Sequence, residues 1–264
     1  MRKIVVISDW AHDSLACQEF RTALYGYAKV AVDLKLSFVL SQQSAVHAGF
    51  LISQVATTDE RYASPTETVI FVDVQEAEYD TPDEVKLDPP FLVAKLTSGL
   101  HVCGLQRGLE YSFIHKRIDE CWSFSEPQTD FSPVPYRDSH ARLVAHIADY
   151  MEDELDLEEV HTARIPQILV NMFYVLRHDH RGVVTTSLTH EDVSEHSKSG
   201  DQVVLSLGGK SHTFTYSDHA SSAMMRPWHL YPGASGDPKN PYMDLLGDPS
   251  SRLDVVPGDK VILN

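Results

Sequence analysis

Three carboxylates stand where chemistry is readily built. Asp9 closes the run Ile4-Val5-Val6-Ile7-Ser8-Asp9-Trp10, and Asp73 closes Val69-Ile70-Phe71-Val72-Asp73. Asp179 lies in the turn-forming stretch Arg177 to Gly182. In open α/β sheets ligands lie outside the carboxyl ends of the strands, so a strand-end carboxylate is placed to meet one. There it can accept hydrogen bonds from vicinal ribose hydroxyls. The competing role is structural: Asp9 or Asp13 also suits the N-cap of the helix that follows, since short polar side chains satisfy open backbone N–H groups.

Other patterns carry less. Arg177-His178-Asp179-His180 puts two histidines at i, i+2, which on a strand would share a face and chelate a metal, but a third ligand is lacking. No G-x-S-x-G elbow is present, and Cys103 sits in an apolar strand context that favours an inert thiol. Arg107, in the turn Gly104-Leu105-Gln106-Arg107-Gly108, suits a carboxylate or phosphate, or simply solvent.

The elements that must position these residues alternate. Four apolar residues from Ile4 read as a strand buried on both faces. Leu15, Phe20, Ala23, Leu24, Tyr27 and Ala31 recur at helical spacing, predicting a helix from about Ser14 to Val32. Leu34 to Leu40 reads as a strand, and Ser44 caps a helix carrying Ala45, Ala48, Leu51, Ile52 and Val55. Val69 to Asp73 repeats the opening design. This alternation indicates a doubly wound α/β domain. Gln75 to Pro90 is acidic and proline-bearing, as an exposed insertion would be. Phe91 to Leu96 and Leu100 to Cys103 flank Thr97-Ser98-Gly99, a hairpin signal. Asp138 starts a helix through Met151, and Glu152 to Glu159 reads as a solvated acidic segment. Beyond residue 163 short strands with glycine turns predict a small β-barrel, including a hairpin of Gln202 to Leu207 and Ser211 to Tyr216 around Gly208-Gly209. The expected domains are thus 1–162, α/β, and 163–264, β-barrel.

Composition narrows the partners. The chain has 264 residues, 42% of them hydrophobic, with 22 Lys and Arg against 38 Asp and Glu, a formal net charge of -16. That balance argues against nucleic acid, which needs a basic surface, and against anionic membranes. The three cysteines (Cys17, Cys103 and Cys121) form no disulfide framework or zinc motif. With no apolar signal region and no spanning run, the expected location is the cytoplasm.

Taken in order, these pieces resemble the S-adenosyl-methionine (SAM) hydroxide adenosyltransferases and their relatives fluorinase and chlorinase. The family opening T-D-F-G-x-x-D is matched by Ser8-Asp9-Trp10-Ala11-His12-Asp13, and its V-D-P-G-V-G by Val72-Asp73. Arg137, Asp138, Ala145, His146 and Ala148 match a later segment, and Asp179 to Val184 echo D-x-F-G-N-L. Val255 to Val261 resemble a final G-L-x-P-G-D-x-V. The likeness runs over nearly the whole chain.

The resemblance implies an α/β domain followed by a β-barrel. It implies homotrimers with sites between subunits and SAM as substrate or ligand, with no further cofactor and no metal. The implied reaction is substitution at ribose C5′, giving adenosine and methionine. Asp9 would hold the ribose hydroxyls with Ser8 and Trp10 beside the sugar, Asp179 the methionine ammonium, and Asp73 would serve as the catalytic carboxylate. The chain departs from the family at the residues that activate water: Asp80 stands at the usual Arg position and Pro135 at the usual His. Val183 replaces the adenine-contacting Asn. A carboxylate in place of a cation inverts the field a developing hydroxide needs. The alternative is therefore a non-catalytic nucleoside or SAM binder.

Overall fold

Strand β1 (Arg2–Ser8) buries every side chain from Ile4 to Ser8, because parallel neighbours flank it on both sides. They are β2 (Leu34–Leu40) and β3 (Thr68–Asp73). Strand β5 (His101–Leu105) adds parallel to β3. The turn Thr97-Ser98-Gly99 then pairs β4 (Phe91–Leu96) antiparallel to β5, as the hairpin signal predicts. With β6 (Ile118–Phe124) and β7 (Leu157–Glu159) the sheet has seven strands in the order β2-β1-β3-β5-β4-β6-β7. It is mixed, with four parallel strands and an antiparallel margin. The computed structural model describes residues 2–10, 14–29, 34–74, 90–106, 108–124, 135–149, 155, 157–168, 172–219, 227–247 and 253–264, of which 135–137 in backbone only.

Helices cover both faces of this sheet. Helix α1 (Leu15–Tyr27) is capped by Ser14, whose Oγ accepts from Cys17 N at 3.4 Å, so the cap role considered for Asp9 belongs to Ser14. Helix α2 (Ala45–Tyr62) is capped by Ser44, as its sequence predicts. Helix α3 (Pro135–Ala148) begins three residues before the expected Asp138. Alternation along the strands sorts the core into two layers. Ile4, Val6, Val69 and Phe71 pack with Phe20 and Leu24 of α1 and Val144 and Ile147 of α3. Val5, Ile7, Ile70 and Val72 pack with Ala48, Ile52 and Ala56 of α2.

Three local expectations are corrected. Helix α1 ends at Tyr27, not Val32, because Ala28 is already extended and the backbone N–H of Lys29 is taken by Asp149 Oδ2 at 2.7 Å. Gly104 and Leu105 are strand residues of β5, not the start of a tight turn. Leu157–Glu159 forms an edge strand on β6 rather than unpaired surface chain.

The buried His101 gives this unit a pH dependence. Only 7% exposed, it has its pKa lowered to about 4 by burial, with Lys95 and Arg2 adding to the effect. The neutral ring therefore contributes stability above the ordinary histidine value of about 6.5, where both states are unprotonated. As pH falls from about 6.5 toward 4 the unfolded chain binds the proton first, and roughly 3 kcal/mol is lost. Urea unfolding between pH 4.5 and 7 should show this limb, and His101→Gln should flatten it.

The carboxyl-terminal unit is a closed barrel. Its strands are β8 (Phe173–His178), β9 (Val183–Thr189), β10 (Gln202–Leu207), β11 (Lys210–Tyr216), β12 (His229–Asp237), β13 (Asn240–Leu246) and β14 (Lys260–Leu263). They close in the order β10-β11-β12-β13-β9-β8-β14 around Val184, Leu205, Phe214, Leu230, Met243 and Leu245. The short helix α4 (His190–Ser194) carries a capping box from Thr189 and Asp192. Contacts divide the chain into Met1–Gln167 and Ile168–Asn264. The architecture is the expected one, an α/β domain followed by a small β-barrel. Among the described residues no helix is long and apolar enough to cross a membrane.

Candidate functional site

The chain order of the sheet fixes where a crevice opens. From β1 the chain passes through α1 to β2 on one side, then through α2 to β3 on the other. The strand order reverses between β1 and β3, and ligands of doubly wound sheets bind at such a reversal, outside the carboxyl ends of the strands. Ser8 and Asp73, the last residues of those two strands, are register partners across it. Alternation puts both on the face that carries Ile4, Val6, Val69 and Phe71, the side of α1 and α3.

Trp10 reaches the same side. Its ring lies 5.6 Å from Phe20 and 6.4 Å from Phe71, so it caps the aromatic stack of Phe20 on Phe71, whose centroids are 4.9 Å apart. Ser8, Trp10 and Asp73 thus lie on one face at the strand ends flanking the reversal, with Asp9 between Ser8 and Trp10 in the chain. Ser8 is 2% exposed, and its carbonyl accepts from Ser41 N at 2.7 Å, which ties the end of β1 to the residue after β2.

Two histidines border this edge that their sequence contexts did not single out. His140 of α3 is buried, its ring 4.8 Å from Phe91 and 5.8 Å from Phe71. His47, three residues into α2 from its cap, accepts from Gln42 N at Nδ1 (3.0 Å), which places its proton on Nε2. Both belong to helix turns beside a strand end, and only the folded sheet reveals their neighbourhood.

Asp179 belongs to the barrel and has local work. Its Oδ1 accepts from Arg181 N and Val183 N, each at 2.9 Å, which folds the turn between β8 and β9. Val183 opens β9. The pair His178 and His180 does not share a strand face: β8 ends at His178, whose Nδ1 donates to Val255 O at 3.1 Å, while His180 lies in the turn. Among the described residues no group of three or more His, Cys, Asp or Glu side chains is placed to hold a metal ion. Cys103 is fully buried and burial pushes its thiol far up, while Cys121 is raised to about 11 by burial, so neither is a nucleophile at neutral pH. Asp13, His12, Asp80, Arg107 and the side chains of Pro135 and Arg137 lie outside the described residues.

No family model matches the chain, and no curated protein does. Solved structures share its fold over its whole length. An uncharacterized conserved protein from Thermotoga maritima superposes with a TM-score of 0.67 at 16% identity, covering 99% of this chain and 100% of that one. A conserved hypothetical protein from Thermus thermophilus gives 0.63 at 15% identity, with 100% of each chain covered. Such likeness establishes the two-part fold and leaves function to the residues.

Proposed function

We propose that the chain binds SAM at the β1/β3 crevice and cleaves it at ribose C5′ to adenosine and methionine. The observation that carries this is the Ser8–Asp73 pair astride the reversal of strand order, followed directly by Asp9 and Trp10. In the reading, Asp9 accepts the ribose hydroxyls while Trp10 and Ser8 line the sugar. Water attacks C5′ in line with the departing thioether, and methionine leaves uncharged. The water's proton passes to Asp73 and on to solvent. Such a reaction depends chiefly on alignment and on a desolvated nucleophile. The acidic chain suits a cationic sulfonium substrate. The same reading carries a homotrimer with sites between subunits and a cytoplasmic location.

A second reading is favoured by Asp80 and Pro135, which stand where the family resemblance asks for Arg and His. In it the crevice binds a nucleoside without turnover. Incubating the purified chain with SAM, with and without chloride, and separating the nucleosides tests both. Adenosine in both buffers is the expected result. A nucleoside that forms only with chloride assigns halide as the nucleophile. Intact SAM after prolonged incubation overturns the cleavage reading, and bound nucleoside in that sample establishes the binder.

A further inference from the structure

The chain that leaves β2 is tied to the end of β1. Ser41 N donates to Ser8 O at 2.7 Å, which carries the pairing of β1 with β2 one residue beyond Leu40. Strand β2 flanks β1 on the side away from β3. The strand end that presents Asp9 is therefore held from β3 by the register of Ser8 with Asp73, and from β2 by the Ser41 bond. Where the Asp9 backbone stands depends on where residues 41–44 stand.

The backbone of residues 41–44 is anchored by buried side chains. Gln42 and Gln43 are exposed, whereas Ser41, Ser44 and His47 are 4%, 7% and 8% exposed. Gln42 O accepts from Ser44 N at 2.7 Å and from Ser41 Oγ at 2.9 Å. Gln42 N donates to His47 Nδ1 at 3.0 Å, and Ser41 Oγ lies 3.4 Å from the same nitrogen. The helix cap does not need this ring. Ser44 Oγ accepts from the backbone N of His47 at 3.3 Å, a bond open to any side chain at position 47. At the third helical position a side chain commonly reaches back to the N–H of the cap residue itself. His47 reaches two residues further, to Gln42, so its ring serves the loop and not the helix.

We infer that His47 is a positioning residue for the ribose site. By fixing Gln42 and Ser41 it sets the Ser8 carbonyl and, through the peptide bond that follows, the backbone of Asp9. It acts through the loop and not on the reacting atoms. The inference rests on the proposed function, in which Asp9 holds the ribose hydroxyls. A ribose contact is made alike before and during reaction, so displacing Asp9 weakens binding and leaves turnover of bound substrate unchanged.

Three variants of the full chain test this by calorimetric titration with adenosine, steady-state cleavage of SAM and amide hydrogen exchange. His47→Ala removes the acceptor and leaves Gln42 N open. It should weaken adenosine about 5- to 20-fold, the scale of one lost main-chain hydrogen bond, and raise KM for SAM by a like factor. Its kcat should stay at the wild-type value, while the Ser41 and Gln42 amides exchange faster. His47→Gln carries its carbonyl one bond farther out than Nδ1, so it should match His47→Ala, and it covers the case in which that variant fails to fold. His47→Asn places Oδ1 on Cγ, as Nδ1 is, and should restore affinity, KM and amide protection. A ring that merely filled space would be rescued by Gln no less than by Asn. Wild-type affinity in His47→Ala or His47→Gln overturns the inference, as does a loss in kcat or a failure of His47→Asn to restore binding. If adenosine binds but SAM is not cleaved, titration and exchange decide alone. A wild type that binds neither adenosine nor SAM removes the proposed function and the inference with it, whereas unchanged binding in the variants removes the inference alone.

Discussion

Replacing Asp73 with Asn is expected to lower kcat for SAM cleavage by about 10²- to 10⁴-fold, the range associated with a positioned general base. That corresponds to roughly 3–5 kcal/mol of transition-state stabilisation. KM should change little, since in the proposed reading the ribose is held by Asp9 and not by Asp73. Asn matches Asp in shape, and the backbone pairing of β3 with β1 is independent of the side chain, so the fold should hold. The contrast between the two quantities decides the role. If Asp73 only braced the crevice against Ser8, melting temperature and activity would fall together. A loss confined to kcat places the carboxylate at the reacting atoms. Activity equal to wild type removes Asp73 from the chemistry.

The frame that presents Asp73 was legible in the sequence because it is built from local signals. Runs such as Ile4 to Ile7 and Val69 to Val72 are β-branched and aromatic without polar interruption, which only a strand buried on both faces permits. The Ser44 cap and the Gly208-Gly209 turn are also decided by nearest neighbours in the chain. The misses share a different origin. Glu158 and Glu159 read as solvated chain, but an edge strand accepts charge because one of its sides faces water. Gly104 read as punctuation, whereas its lack of a side chain serves the approach of a neighbouring strand. Asp244 lies between two core residues, Met243 and Leu245, a pattern that marks it as facing away from the core but says nothing of its burial. Its partners across the strands are Thr185 of β9, distant in the chain, and Tyr231 of β12 in the same hairpin. Long-range register is what a single sequence conceals.

Gly104→Ala should be among the most damaging single changes in the amino-terminal unit, costing about 3–5 kcal/mol through overpacking together with backbone strain. A Cβ at this position would lie 2.1 Å from Val72 O and 3.0 Å from Val72 C, and the residue holds φ at +155°. Neither neighbour can yield cheaply. Gly104 is paired to Val72 of β3 on one side and to Leu92 of β4 on the other, and its carbonyl accepts from the buried Tyr111 Oη at 3.1 Å. Relief therefore requires the centre of the sheet to open. Gly26→Ala is the matched control: it lies in α1 with nothing within 4 Å of the added atom, and should gain about 0.5 kcal/mol from helix propensity. Urea unfolding of the two variants reads the difference directly, and a loss under about 1 kcal/mol in Gly104→Ala would show that the strands part without the cost expected of overpacking. The position also bears on the proposed catalysis, because Val72 precedes Asp73. Any adjustment that accommodates the methyl displaces the carbonyl joined to Asp73, so the fraction that still folds should turn over SAM more slowly than wild type, whereas Gly26→Ala should not.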